Sequence, residues 1–435
     1  MIREKVSIFW FRRDLRLEDN CGLYNALKGE HPVLPIFIFD TNILTDLSDK
    51  KDARVTFIHG ELSKINSQLE EKKSRLKVFY STPEQAFTEL LEQFDIQKVF
   101  TNKDYEPYAL KRDESIQELL PESVIFEGYK DQVIFEPEEI LKVDDTPYLV
   151  YTPYSKKWLA NLTEQQLEEY TSGVDFDNWI QMPFRQIISL KDIGFEPSTI
   201  PIPSNCLEDK IVSSYAQERD YPSKEGTSRL GVHYRFGTIS IRAKARQANK
   251  HEEKTYLKEL IWREFFMMIL YFFPRVVENN FSRKYDRLKW RNDKAEFEKW
   301  KSGMTGYPLV DAGMRELASS GHMHNRVRML VASFLTKHLL IDWKWGEAYF
   351  AEKLLDFDLS ANNGNWQWAA GTGVDAQPYF RVFNPTTQIE KFDKELTYIK
   401  RWVPEYGTPN YPKEMVEHKM ARERAIATFK EAVNN

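Results

Sequence analysis

The stretch 33-VLPIFIFD-40 is apolar at every position but the last. A strand with one face in water alternates polar and apolar residues. A short run without alternation suits a strand covered on both faces, as in a parallel sheet packed between helices. Comparable runs stand at 6-VSIFWF-11, 76-LKVFYS-81, 98-KVFTN-102 and 124-VIFEG-128, with helical patterns near residues 53–72, 83–94 and 108–120 between them. Strand and helix in alternation predict an N-terminal α/β domain over residues 1–130, built on a doubly wound five-stranded parallel sheet.

Downstream the pattern changes twice. Residues 131–205 carry seven prolines, Pro137, Pro147, Pro153, Pro183, Pro197, Pro201 and Pro203, and few long periodic runs. That composition predicts a long connector with a few short helices. Residues 206–435 read as an all-α domain. Within it 255-TYLKELIWREFFMMILYFF-273 is apolar nearly all round, as a core helix is, and Pro274 ends it. Further helices are predicted over 326-RVRMLVASFLTKHLLIDW-343 and, polar and amphipathic, over 413–435.

A chain of 435 residues suits two domains, and 42% hydrophobic with 29% charged residues is ordinary for a globular protein. The aromatic share, 14%, is high and points to aromatic-walled sites or a thick helical core. Two cysteines, Cys21 and Cys206, exclude a disulfide framework and a cysteine-rich metal site. The apolar run Val6–Phe11 is too short for a signal peptide or a membrane span, so a cytoplasmic protein is expected. The net charge is −5, but Arg219 to Lys344 holds 25 basic and 14 acidic residues, +11, and leaves −16 elsewhere. A basic segment in an acidic protein presents a positive face to a polyanion, although a solvated helix surface explains it as well.

Several short stretches carry candidate chemistry. In 226-GTSRLGVHYRFGTIS-240, hydroxyls and backbone N–H groups before a helix suit a phosphate, and an ordinary cap reads the same way. Glu259, Trp262 and Arg263 share one face of a helix, as do Asn325, Arg328 and Met329. His322 and His324, two apart, face different sides and make no zinc helix. Asp356 and Asp358 precede 362-NNGNWQWAAG-371, placed either to cap a helix or to pair with a buried arginine such as Arg328. Gly371-Thr-Gly373-Val-Asp-Ala376 fits a dinucleotide-binding pattern but lacks the strand before it and the βαβ unit around it.

The order of these blocks, TSRLG, ELIWREF, MHNRVRM, DFDLSANNGNWQWAAGTG and PYFRVFNP, with FWFRRDLRLEDN at the start and DQVIFEP and TPYSKKW in the connector, resembles the photolyase/cryptochrome family of flavoproteins nearly end to end. The resemblance is strongest to class I cyclobutane pyrimidine dimer DNA photolyases. It implies an FAD folded into a U inside the helical domain. Tyr215, Thr227, Ser228, Arg229, Leu230 and Gly231 are then expected about the phosphates and ribose, and Arg263, Asn325, Arg328, Asp356, Asp358 and Asn362 about the flavin. Asn362 matches the amide beside flavin N5, able to accept or to donate by flipping. The substrate is implied to be UV-damaged DNA, single- or double-stranded, bound by a monomer. The flipped dimer would lie between Trp262 and Trp368, with Met329 beneath it and a protonated Glu259 donating to a pyrimidine carbonyl. Arg219 and Arg326 would grip phosphates. Trp366, Trp343 and Trp290 match the family's tryptophan electron relay. The implied reaction is light-driven splitting of the cyclobutane ring by an electron lent from reduced FAD and returned. Met329 favours this over (6-4) repair, and the intact dimer-site set favours it over a cryptochrome-type photoreceptor. Tyr256 replaces the Trp that many members carry. Glu106 matches a position used for a folate antenna in some members, but 274-PRVVENNFSRKY-285 matches poorly, which leaves a folate, a deazaflavin or no antenna open.

Overall fold

Strands β1 (Lys5–Phe11), β2 (Val33–Asp40), β3 (Lys77–Ser81), β4 (Asp95–Asn102) and β5 (Ile125–Tyr129) form one parallel sheet in the order β3-β2-β1-β4-β5. The strands between them are linked by helices α1 (Cys21–Leu27), α2 (Ala53–Glu71), α3 (Pro83–Gln93) and α4 (Pro107–Leu119). The expected doubly wound five-stranded fold is present. The structure, a computed structural model, describes residues 3–171 and 176–434.

The missing alternation in β1 and β2 has a direct cause. Phe9, Phe11, Phe37 and Phe39 pack into one core, while Ile8, Trp10, Ile36 and Ile38 pack into another on the opposite face. Both faces of the central strands are dry. Pro35 in β2 stands just before the stretch paired to β3, which begins at Ile36↔Lys77, so one side of the ladder has not started where the N–H is missing. α3 opens on a capping box between Thr82 and Gln85, with Pro83 in its first turn.

Two compact units divide the chain, and they cut it differently from the expected 1–130, 131–205 and 206–435. The first unit takes 1–139, 160–206 and 230–250; the second takes 140–159, 207–229 and 251–435. The connector is therefore shared out, and a segment expected in the helical domain belongs to the sheet. Charge explains that return. Asp19 and Asp131 are buried in the first unit, and Arg242 meets each at 2.8 Å. Asp131 also has Arg16 at 2.7 Å, whereas Asp19 takes its cation from Arg242, so burying Asp19 needs that guanidinium.

The second unit is helical: α5 (Tyr151–Asn161), α6 (Asp209–Glu218), α7 (Thr255–Phe272), α8 (Asn325–Ser333), α9 (Trp343–Lys353), α10 (Leu359–Ala370) and α11 (His418–Asn434) carry what matters below. α7 is buried along most of its length, as its all-round apolarity predicts. The single helix expected over 326–343 is not continuous. α8 passes into a π-helical turn, Phe334–His338, and Leu340 has φ +49°. The carbonyls freed there are taken up: Arg291 donates to Leu339 O and Leu340 O, and Arg424 to His338 O. His322 and His324 precede α8, and His324 caps it by accepting from Arg326 N–H. α11 starts at His418, later than the expected 413, and buries Ala421, Ala425 and Phe429.

Candidate active site

α10 begins because Asp358 accepts from Ala361 N–H, and it ends at Gly371, whose φ of +80° is the left-handed conformation that closes a helix. Gly371 and Gly373 therefore close a helix and open no βαβ unit. The helix lies tight against its neighbours. A Cβ on Gly364 would come 2.2 Å from the Phe266 ring of α7, and one on Gly346 of α9 would come 2.1 Å from Trp366.

Beside α10 a cavity of about 90 Å³ opens. It gathers Asn325, Arg328, Met329, Asp356, Asp358, Asn362, Trp366 and Trp368 from three chain regions. Phe357 of the DFDLSANN block adds apolar wall, as do Ala332, Phe350 and Leu354, which no motif announced. Apolar wall with a few convergent polar groups is the chemistry of a site for an organic cofactor.

The two acids divide the roles the sequence left open. Asp358 is the cap of α10, and Asp356 receives Arg328 Nη2 at 2.9 and 3.1 Å. Arg328 Nε donates to Met323 O at 2.7 Å, which holds the guanidinium at the cavity wall. The Asn362 Nδ2 donates to Glu347 O at 3.1 Å and to Glu347 Oε1 at 2.8 Å. A backbone carbonyl only accepts, so the amide is fixed with Oδ1 toward the cavity. That oxygen has no hydrogen-bond partner among the described residues. A flip would set Oδ1 against the Glu347 carbonyl, so acceptance is the role this structure supports. Burial pushes the Glu347 carboxyl up, against the opposing hydrogen bond from Asn362. Glu347 lies 15 residues from Asn362 on another helix, and nothing in its local sequence marked it.

The remaining expected residues lie outside the cavity lining. On α7, Trp262 stacks on Tyr151 of α5 at 3.6 Å between centroids and 6° between planes. Arg263 follows Trp262 on the same helix. Glu259 is ion-paired with Arg219, and Asp220 receives Arg326 at 2.6 Å. Burial raises the Glu259 carboxyl, and Arg219 opposes the rise. Ser228 Oγ meets the Tyr256 hydroxyl at 3.0 Å, and Tyr215 packs edge-on against that ring at 5.1 Å. The Tyr at 256 thus keeps the aromatic face and adds a bond to the hydroxyl segment. Arg229 has φ +52° and lies 3.6 Å from Glu225. Thr227, Ser228 and Arg229 fall in the second unit, and Leu230 and Gly231 in the first, where Gly231–Phe236 is a helix of six residues.

Trp366 and Trp343 are buried in one core cluster, and Trp290 packs at its edge. Trp343 donates its indole N–H to Asn280 Oδ1 at 2.9 Å, the partner a buried indole needs. In the first unit, Glu106 accepts from Arg13 at 2.8 Å and from Arg235. Both guanidinium groups end on Oε1, so the carboxylate expected at a folate is already engaged on one oxygen. Among the described residues no group of three or more His, Cys, Asp or Glu is placed to hold a metal ion.

Residues 7–171 match the family model of DNA photolyase, and residues 256–409 that of the FAD binding domain of DNA photolyase. The chain belongs to the DNA photolyase family. A deoxyribodipyrimidine photo-lyase of Halobacterium salinarum is 36% identical over 98% of this chain and 99% of its own length. That of Escherichia coli is 34% identical over 98% and 99%. Among solved photolyases, a bacterial class III enzyme from Agrobacterium tumefaciens superposes with a TM-score of 0.88 at 32% identity, covering 100% of this chain and 99% of that one. An archaeal photolyase from Sulfolobus tokodaii, solved with two FAD molecules, gives 0.83 at 34%, covering 98% and 100%. A Synechocystis cryptochrome at 22% identity shares the fold, with a TM-score of 0.84 and coverage of 98% and 100%. FAD is the cofactor of this family's helical domain.

Proposed function

We propose that the protein is a deoxyribodipyrimidine photo-lyase that repairs cyclobutane pyrimidine dimers, with its cofactor and dimer meeting at the Asn325–Trp368 cavity. One observation carries the reading: a single cavity brings the Asn362 amide, expected at the flavin, together with Met329 and Trp368, expected at the dimer. Reduced FAD, when bound, supplies the light-driven electron that opens the cyclobutane ring.

The chain's own groups do the rest. Arg328, braced by Asp356 and Met323 O, offers a fixed positive charge at the wall. The Asn362 Oδ1, oriented by Glu347, would be free to accept from a ring N–H of the cofactor and so to favour its protonated, reduced form. Glu259 on α7 is held toward its neutral form by burial and then donates a hydrogen bond where charge develops on a pyrimidine carbonyl. Trp262, already stacked on Tyr151, and Trp368 present flat apolar faces to an extruded base. Trp366, Trp343 and Trp290 return electrons from the surface. The partner is UV-damaged DNA, single- or double-stranded, taken by a monomer in the cytoplasm. No described helix is long and apolar enough to cross a membrane.

The test is loss of the dimer from a thymine-dimer oligonucleotide under blue light, with pre-reduced protein and a dark control. Light-dependent loss is expected. A protein that photoreduces its flavin and leaves the dimer intact would be a photoreceptor or a repair enzyme for another lesion.

A further inference from the structure

The two arginines expected to grip DNA phosphates are both covered by carboxylates. Arg219 is paired with Glu259, a residue of the proposed chemistry. Arg326 is paired with Asp220, to which the proposed reaction gives no task. Asp220 follows α6, next to Arg219, and its Oδ1 lies 2.6 Å from Arg326 Nη2. The side chain of Asp220 is 40% exposed and that of Arg326 is 20% exposed, so the carboxylate is the more exposed of the pair. The rest of the guanidinium packs against protein, and Nε is buried with no hydrogen-bond partner among the described residues. Its carbon lies 4.4 Å from the Phe392 ring centroid, and Nη1 is 3.9 Å from the sulfur of Met329 in the cavity wall. A phosphate bound to Arg326 therefore competes for the ground that Asp220 holds.

We propose that Asp220 is an affinity-setting residue: its carboxylate stands in for a phosphate on Arg326 in the free protein and must be displaced when a DNA backbone binds. The inference rests on the reading that Arg326 contacts DNA. Phosphate contacts carry no information about the base, so Asp220 loosens the grip on damaged and undamaged strands alike. The advantage lies in search and release. Undamaged DNA is in large excess, and a carboxylate that returns to Arg326 as the strand leaves shortens the time spent on it.

The experiment measures binding of undamaged and dimer-containing oligonucleotides to the FAD-loaded full chain, in the dark, at one fixed salt concentration. Four proteins are compared: wild type, Asp220→Asn, Arg326→Ala and the double variant. Asp220→Asn keeps an oxygen acceptor and removes the charge. It is expected to tighten both oligonucleotides by roughly fivefold, the scale of a partly exposed ion pair. In the Arg326→Ala background the same change is expected to move affinity by less than about twofold, because the coupling runs through Arg326. Asp220→Ser, which also removes the charge, serves as a second variant with the same expected direction. The proposal is overturned if Asp220→Asn leaves affinity unchanged, or tightens binding equally with and without Arg326, which would make it a general charge effect. If Arg326→Ala binds DNA as wild type does, Arg326 makes no DNA contact and the underlying reading falls with it.

Discussion

Replacing Gly364 by Ala tests whether the α7–α10 contact sets the geometry of the site. The added Cβ would lie 2.2, 2.5 and 2.9 Å from Cδ1, Cε1 and Cγ of Phe266. Cγ sits close to the backbone, so the ring has no flexible end to swing aside. It is also held, with Trp262 at 5.5 Å and Phe265 at 5.8 Å between centroids. Ordinary contact begins near 3.4 Å, so α7 and α10 have to part by about 1 Å. Ala in a helix interior gains about 1 kcal/mol over Gly, and overpacking a core costs about 1–3 kcal/mol, so the net change is a loss of about 0–2 kcal/mol. The consequence for repair is larger. α7 carries Glu259 and Trp262, and α10 carries Asn362, Trp366 and Trp368. A misplacement of about 1 Å between reacting groups costs on the order of a hundredfold in rate. Urea midpoints, flavin retained after gel filtration, and repair per absorbed photon are the readouts. A Gly364→Ala protein stabilised by the full propensity gain, with wild-type repair, would refute the claim that this contact is tight.

Three further outcomes are expected. His324, buried beside Arg326, Arg328 and His322, has its pKa pushed down to about 4, chiefly by burial. The unfolded chain protonates this histidine near 6.5 while the fold does not, so stability present above pH 6.5 is lost as pH falls toward 4, at about 1.4 kcal/mol per pH unit. His324→Asn keeps the cap on α8 and is expected to lower the slope by that amount in urea titrations between pH 6 and 4, leaving the share of the buried His338; an unchanged slope assigns the acid sensitivity elsewhere. Asp356→Asn leaves a partly buried guanidinium without its charge partner and is expected to cost about 1 kcal/mol and to weaken flavin retention, whereas pairing it with Arg328→Met recovers stability but not flavin. Trp343→Phe is expected to abolish light-driven reduction of the oxidised flavin, followed by absorbance under blue light, and to leave repair by chemically reduced protein near wild type.

The features that were legible in the sequence are those set by local pattern. The unbroken apolarity of 33–40 marks a strand covered on both faces because alternate side chains fill two cores. Asp358 and Asp356 announce a cap or a partner because few other uses exist for acids beside a helix. What escaped depends on distant residues. The π-helical turn after α8 is invisible in an apolar run, since it is Arg291 and Arg424 that take up the freed carbonyls. Glu347 carries no motif of its own, and its role appears only when α9 meets α10. The compact units part elsewhere than at 206 for a similar reason: a helical segment at 230–250 belongs with a sheet because Arg242 answers two buried acids.

That arrangement has a consequence for synthesis. The fifth strand is complete at Tyr129, yet Asp19 has its Ser240 and Arg242 partners more than 220 residues further on. A nascent chain that closed the sheet early would bury a carboxylate without its cation, at a cost of several kcal/mol. The N-terminal unit therefore reaches its final form only after residue 242 has left the ribosome, when α5 and α6 of the other unit have already been made. Maturation is interleaved along the chain, and a ribosome stalled, or a gene cut, at the apparent boundary near 206 leaves a sheet in which Asp131 has Arg16 but Asp19 still lacks its cation.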